Sequence, residues 1–398
     1  GEIMLEQVPI DDLQPGMYVN QVLEQTGSLK MRSKGIVKTQ AIIDSLNSKG
    51  ILVVEVDLAK SKLPKAEKAP VKPETAPEKP TVKPVGRDSI NEANDLYDSA
   101  LSIQSRFLKS LKNGGAKDLS PVESLSQSLI ESVFDNKDAL SCLTMIKDTD
   151  HYLLEHSINC SVLSGIFCEF LGFDRDTIEQ VSLGALLMDI GMSSQPEEIR
   201  NNTEQFSQND WDVMKTHVEI GADLVAQCGD ISDLSLCIIE QHHERVDGSG
   251  YPKGLVGDEI SEFARIAAIV DAYDAMTSNR PHKNSITPTQ ALKRLTATEN
   301  LDQELVKQFI QCIGVHPVGS LVRLKSGKLG IVSKLNPKDP VSPHVMTFYS
   351  VTSQHFNEVK RVDLSLYDDE IVSGVKPEEF SLNLPKFFKD VFVNQMPL

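Results

Sequence analysis

No run in the 398-residue sequence approaches the roughly 18 uninterrupted apolar residues that a membrane-spanning helix needs. No basic-then-apolar stretch opens the chain in the manner of a secretory leader, so a cytoplasmic protein is the expectation. Gly1 to Ile3 read as an addition ahead of "MLEQVPIDDLQPGMYV", which makes a natural start. Cysteine is scarce. The six residues Cys142, Cys160, Cys168, Cys228, Cys237 and Cys312 are scattered through apolar helical patterns, without the close pairs of a zinc ribbon or the density of a disulfide scaffold. They read as reduced core residues. Positive charge is in deficit too: 40 Lys and Arg stand against 57 Asp and Glu, a formal charge of −17. That balance excludes a general binder of DNA or RNA polymers, whose affinity comes from massed cations on the phosphate backbone. A small anionic ligand stays open and would require a local basic cluster.

Length and a 40% hydrophobic content allow two or three domains with substantial cores. Residues 60–87 are rich in Pro, Lys and Glu with almost nothing to bury, which predicts an extended linker. Before it, residues 4–59 form a small α+β domain, with "MYVNQVL" and "GILVVEVDL" as strands flanking a short helix in "TQAIIDSLNSKG". After it, residues 88–316 read as an all-α bundle. Helical periods run over 89–112, 121–134, 156–171, 177–188, 208–227, 232–243, 262–278, 288–297 and 302–313. Ser120, Pro121 and Glu123 offer an N-cap, a first-turn proline and a capping box. Beyond, residues 317–398 form a β-rich region, with strands on either side of Ser326-Gly327-Lys328 and another in "VMTFYSVT".

Nine histidines occur, four of them in helical segments of the middle domain: His156, His217, His242 and His243. In "FARIAAIVDAYDAM", Asp271 shares a helix face with Ala264, Ala267, Ala268, Asp274 and Ala275, a poor place for a bare carboxylate. Asp189 poses the same problem at the end of the apolar helix "LGALLM". A buried anion needs a cation. Taken singly, His156 and His217 are better read as hydrogen-bonded core or boundary residues than as ligands, whereas the adjacent His242 and His243 near a helix end are easily aimed at one centre. Imidazole and carboxylate without thiolate would suit one or two divalent transition metals, Fe, Mn, Ni or Zn, in an open site. The remaining histidines read as surface or loop residues.

"HHERVDGSGYPKGL" (242–255) followed by "ARIAAIVDAYDAMTSNRP" (264–281) resembles the HD-GYP family of bacterial cyclic dinucleotide phosphodiesterases. The resemblance extends over roughly residues 90–335, and the N-terminal module resembles the small domain that often precedes this family. It implies an HD-type bundle in which His156, Asp189 and Asp271 hold one metal while Asp189, the central catalytic residue, bridges to a second held by His217, His242 and His243. Such ions activate a water and neutralise phosphodiester charge. Gly248, Gly250, Tyr251 and Pro252 make the namesake loop at the cavity mouth, and Arg280 and Lys283 correspond to positions that grip substrate phosphates. Those two also supply the local basic cluster.

The sequence departs from the family at two positions. Met188 stands where the family has the histidine of its His-Asp pair, and Met192 replaces a lysine expected near the scissile phosphate. Tyr152 occupies the place of a glutamate that in some members holds a third metal. Two hypotheses follow. The first is a weakened metal-dependent phosphodiesterase acting on cyclic di-GMP or a mixed-base relative. The alternative is a catalytically inactive sensor or partner-binding module, engaging a signalling protein. A homodimer is expected as the commonest arrangement of soluble bacterial proteins.

Overall fold

The computed structural model describes residues 5–26, 35–62, 86–114, 118–147, 151–196, 206–280 and 283–387. Gly1–Ile3, His282 and most of the expected linker lie outside them. The chain divides into two compact units: residues 1–81 with 336–344 and 363–368, and 82–335 with 345–362 and 369–398.

In the first unit, β4 (Ile51–Asp57) alternates too little to be half-exposed and lies between β1 (Leu5–Pro9) and β2 (Tyr18–Gln25), both antiparallel to it. A two-residue strand, β3 (Gly35–Ile36), pairs with β2. The helix α1 (Gln40–Ser48) is capped by the Thr39 hydroxyl, which accepts the Ile42 N–H, and turns Ile43 onto Val19, Val54 and Val56 in the core.

The second unit opens with α2 (Arg87–Lys112) and α3 (Ser120–Met145). α3 continues past the expected end at 134, because Asn136 (φ −160°, ψ 82°) interrupts the helix and its side-chain oxygen accepts the Ala139 N–H to restart it. Ser120 is not the N-cap: it is the first helical residue. Asp118 accepts both its N–H and its hydroxyl, so the expected box with Glu123 is replaced.

The centre of the unit is α4 (Tyr152–Phe170), in which residues 155–168 are all buried. Such a helix must be apolar or small all round. Two of its buried polar groups are satisfied across helices, Ser161 with Ser182 on α5 (Arg175–Leu187) and Asn159 with Tyr97 on α2. α4 packs against α3, α5, α9 (Glu262–Met276) and α11 (Gln303–Ile313), where Phe167, Tyr273 and Phe309 meet edge to face. The remaining helices are α6 (Gln208–Lys215), α7 (His217–Ala226), α8 (Asp233–Gln241) and α10 (Pro288–Ala297). α6 and α7 replace the single helix expected over 208–227. The Thr216 hydroxyl bonds back to the Val213 carbonyl at the break, competing with the backbone ladder.

After the helices, β5 (Leu321–Leu324), β6 (Lys328–Lys334), β7 (His344–Ser350), β8 (His355–Asp363) and β9 (Ile371–Gly374) form a sheet ordered β8-β7-β6-β5-β9, with β6 packed on α3. A 3₁₀ turn over Pro377–Phe380 follows. The architecture is a helical bundle preceded by a small α+β unit and followed by a strand-rich segment. No described helix is long and apolar enough to cross a membrane.

Candidate metal centre

The apolar pattern of α5 runs to its C-cap, Met188, and the helix then gives way to a 3₁₀ turn over Ile190–Ser194. Asp189 occupies the junction with φ −109° and ψ 10°, the sparsely populated bridge region in which functional residues often sit. Two glycines bring α7 close. A Cβ on Gly191 would run into the His217 carbonyl, and Gly221 faces Gly191 across the contact. This approach carries His217, the first residue of α7, to within 3.5 Å of Asp189 Oδ1. His242, the C-cap of α8, comes to 3.3 Å of the same oxygen.

Tautomers at this centre follow from partners that can only accept. His217 Nδ1 lies 2.7 Å from the Met214 carbonyl, and His242 Nδ1 lies 3.0 Å from the carbonyls of Ile238 and Ile239. Each Nδ1 therefore carries a hydrogen, and each ring turns its Nε2 toward the Asp189 carboxylate; burial opposes protonation of His217, yet that carboxylate raises it above the ordinary imidazole range. His217 Nε2 is buried with no hydrogen-bond partner among the described residues. Imidazole nitrogens gathered around a carboxylate call for positive charge, supplied by protons on the rings or by a metal ion. His243 joins the group: ligand atoms of Asp189, His217, His242 and His243 lie within 4.8 Å of one another. Burial, reinforced by the charges of His242 and His217, pushes His243 well below the ordinary imidazole range and so keeps it a neutral donor. Burial alone would raise the Asp189 carboxyl, but the surrounding imidazoles hold it well below its usual range. These four residues fit a divalent metal of borderline hardness.

A second group, His156, Cys160 and Asp271, meets the same distance criterion. His156 Nδ1 bonds to Asp274 at 2.6 Å, while Nε2 lies 2.6 Å from Asp271 and 3.7 Å from Asp189. Asp274, fully buried, also accepts from Lys147 Nζ at 2.6 Å and Asn159 Nδ2 at 3.1 Å. Burial would raise Asp274, but Lys147 and then His156 hold it below the usual carboxylate range. A carboxylate on the remote nitrogen fixes the ring and leaves the other nitrogen for a metal. Burial opposes protonation of His156, yet Cys160 and Tyr152 by their electrostatics, and Asp271 and Asp274 by hydrogen bonds, raise it well above its ordinary value. Here too the side chains call for positive charge.

The surroundings build a mouth. The Tyr251 ring stacks on His243 at 4.8 Å, and Lys215 lies over its other neighbourhood, 5.6 Å from the centroid. Glu244 pins the loop by accepting the N–H groups of Lys253, Gly254 and Leu255, and Gly250 has backbone where a Cβ would stand. Pro252 follows Tyr251 in this loop. Tyr152 stacks on His156 at 5.4 Å, and the Arg280 guanidinium lies 5.8 Å from the Tyr152 ring. Arg280 Nε has no partner among the described residues. Lys283 is exposed and tied to Arg280 through paired backbone bonds, with no recorded contact from its side chain to the ligand groups. The loop carrying both is braced by Asn279, which accepts the Ser285 N–H and donates to Glu378 in the C-terminal 3₁₀ turn. Met188 is fully buried and Met192 half-buried.

The six anticipated ligands thus fall into two adjoining groups, with Asp189 in the first and 3.7 Å from His156 of the second. Sequence reasoning missed Cys160 as a neighbour of His156, the anchoring role of Asp274, and Lys147. The first two had a signal in their spacing, His156-x-x-x-Cys160 and Asp271-x-x-Asp274, each one helical turn.

A helical bundle with buried imidazoles and carboxylates converging at a helix junction belongs to the class of HD domains, and a family model described as "HD domain" matches residues 141–305. A second, "Domain of unknown function (DUF3391)", matches residues 5–122. The chain is 30% identical over 386 residues to a cyclic di-GMP phosphodiesterase of Pseudomonas aeruginosa, spanning 94% of this chain and 93% of that one. It is 36% identical over 138 residues to the cyclic di-GMP phosphodiesterase response regulator RpfG of Xanthomonas campestris, 34% of this chain and 36% of the other. An HDG"Y"P protein from Bdellovibrio bacteriovorus superposes with a TM-score of 0.48 at 17% identity, covering 77% and 98% of the two chains. The protein belongs to the HD-GYP family.

Proposed function

We propose that the protein is a metal-dependent phosphodiesterase that hydrolyses a cyclic dinucleotide, cyclic di-GMP or a mixed-base relative. The observation that carries this reading is the convergence of His217, His242 and His243 on the Asp189 carboxylate, with Nδ1 of His217 and His242 tied to backbone carbonyls and Nε2 turned inward. His217, His242, His243 and Asp189 would hold one divalent metal, and His156, Asp271 and Asp189 a second, with Fe, Mn, Ni and Zn all compatible with the donors. When bound, such ions supply an activated water and neutralise charge on the phosphodiester. Around them the chain positions and binds. Asp274 orients His156, and Glu244 and Gly250 shape the loop that sets Tyr251 against His243. Arg280 offers a planar cationic fork suited to a phosphate, in a protein whose net charge of −17 would otherwise repel the substrate. Lys283 would add a second contact.

One observation favours a second reading, an inactive relative that binds the dinucleotide or a signalling partner. Met188 buries a thioether at the position of a missing histidine, and Met192 removes a charge. Hydrolysis of cyclic di-GMP and its mixed-base relative by protein purified anaerobically and loaded with iron or manganese separates the two. Linear or mononucleotide product that disappears in Asp189→Ala supports the enzyme. Metal bound without product supports the inactive relative.

A further inference from the structure

We propose that Cys160 is a ligand of the metal held by His156 and Asp271, its thiolate filling the coordination that Met188 vacates. This inference rests on the metal-centre reading above. Cys160 and His156 stand one turn apart on α4, on the same face of a helix whose side chains here are entirely buried. The sulfur lies beside the His156 ring, 3.6 Å from Nε2 and 3.8 Å from Nδ1, and it is Nε2 that is left over once Nδ1 is committed to Asp274. Ligand atoms of His156, Cys160 and Asp271 fall within 4.8 Å of one another, so a rotation of the short Cys160 side chain is what ligation requires.

The other cysteines supply the contrast. Cys228 and Cys237 turn their sulfurs to the carbonyls of Leu224 and Leu234 one turn back, the ordinary fate of a structural thiol in a helix, and Cys312 faces the Ile166 carbonyl of α4. Cys160 faces an imidazole that shares its other side with two carboxylates. Met188, fully buried, cannot serve as a ligand to a metal of this hardness. With Asp189 shared between the two ions, His156, Asp271 and Asp189 make three protein ligands, and Cys160 makes a fourth.

The chemistry of loading balances simply. The S–H bond breaks as the S–metal bond forms, and the proton leaves to solvent along the partly exposed side of Asp271, whose side chain is 15% accessible. A thiolate adds negative charge to the ion and shifts preference toward the softer members of the series, zinc or ferrous iron over manganese. It also leaves the ion a weaker Lewis acid, which would slow hydrolysis for a reason distinct from the loss of Met192's counterpart.

The test is cobalt loading of the full chain, reading metal content and the near-ultraviolet thiolate-to-cobalt charge-transfer band. The expected result is a band in the wild type that is lost in Cys160→Ala and retained in Cys168→Ala. Affinity of the weaker site in Cys160→Ala should fall at least about 10-fold. Cobalt bound with no such band, or with a band that persists in Cys160→Ala, overturns the assignment and leaves the metal centre standing. No cobalt bound by the wild type overturns both. X-ray absorption of the zinc-loaded wild type gives an answer that needs no variant to fold. A sulfur shell at about 2.3 Å is expected, and a shell of nitrogen and oxygen alone at about 2.0–2.1 Å rules out the ligand.

Discussion

Asp274 anchors His156 and is itself gripped by Lys147 and Asn159, so the ring that faces Asp271 is held from behind by a network of three elements. Asp274→Asn keeps the shape but removes the charge that orients the ring and satisfies Lys147. Metal affinity should fall by about 10- to 100-fold, measured by titration calorimetry of metal into stripped protein. At Met188 and Met192 the direction reverses. Met188→His with Met192→Lys should raise turnover of cyclic di-GMP, because a charged contact made in the transition state is worth roughly 2–4 kcal/mol. A double variant no faster than the parent would show that the defect lies elsewhere. The candidate ligands stood out in the sequence because two carboxylates and the adjacent His242 and His243 fall inside apolar helical patterns, where a bare charge is costly. Lys147 did not: its partner Asp274 is 127 positions away, and nothing local distinguishes this lysine from a solvated one.

Among the elements, the approach of α7 to the turn after α5 sets the spacing of the first ligand group. Gly191→Ala should destabilise the protein by about 1–3 kcal/mol, since its Cβ would meet the His217 backbone rather than a flexible side chain. Gly221→Ala, whose Cβ would sit 3.4 Å from its nearest neighbour, should cost less, and urea unfolding of the two variants distinguishes the positions. Helix periods gave the bundle its outline because α5, α9 and α11 carry continuous apolar faces. The break at Thr216 was illegible, as it arises from a hydroxyl choosing a carbonyl one turn back. Strand β8 was missed for another reason: its first four residues are exposed and only Val359 is fully buried, so no alternation marks it.

For the whole molecule, a metal held by the cluster around Asp189, as proposed, is a component of stability. Metal at about 100 times its dissociation constant should add about 2.7 kcal/mol. Chelation should therefore lower the thermal midpoint of the wild type in differential scanning calorimetry and leave that of Asp189→Ala nearly unchanged. A midpoint indifferent to chelator in the wild type would return the histidines to a purely structural role. The brace between Asn279 and Glu378 joins positions 99 apart, and it acts on the loop that bears Arg280. All six anticipated ligands precede that loop in the chain. During synthesis, the candidate ligands leave the ribosome well before the residue that steadies the Arg280 loop. A nascent or prematurely terminated chain ending before residue 378 thus carries every candidate ligand without the brace.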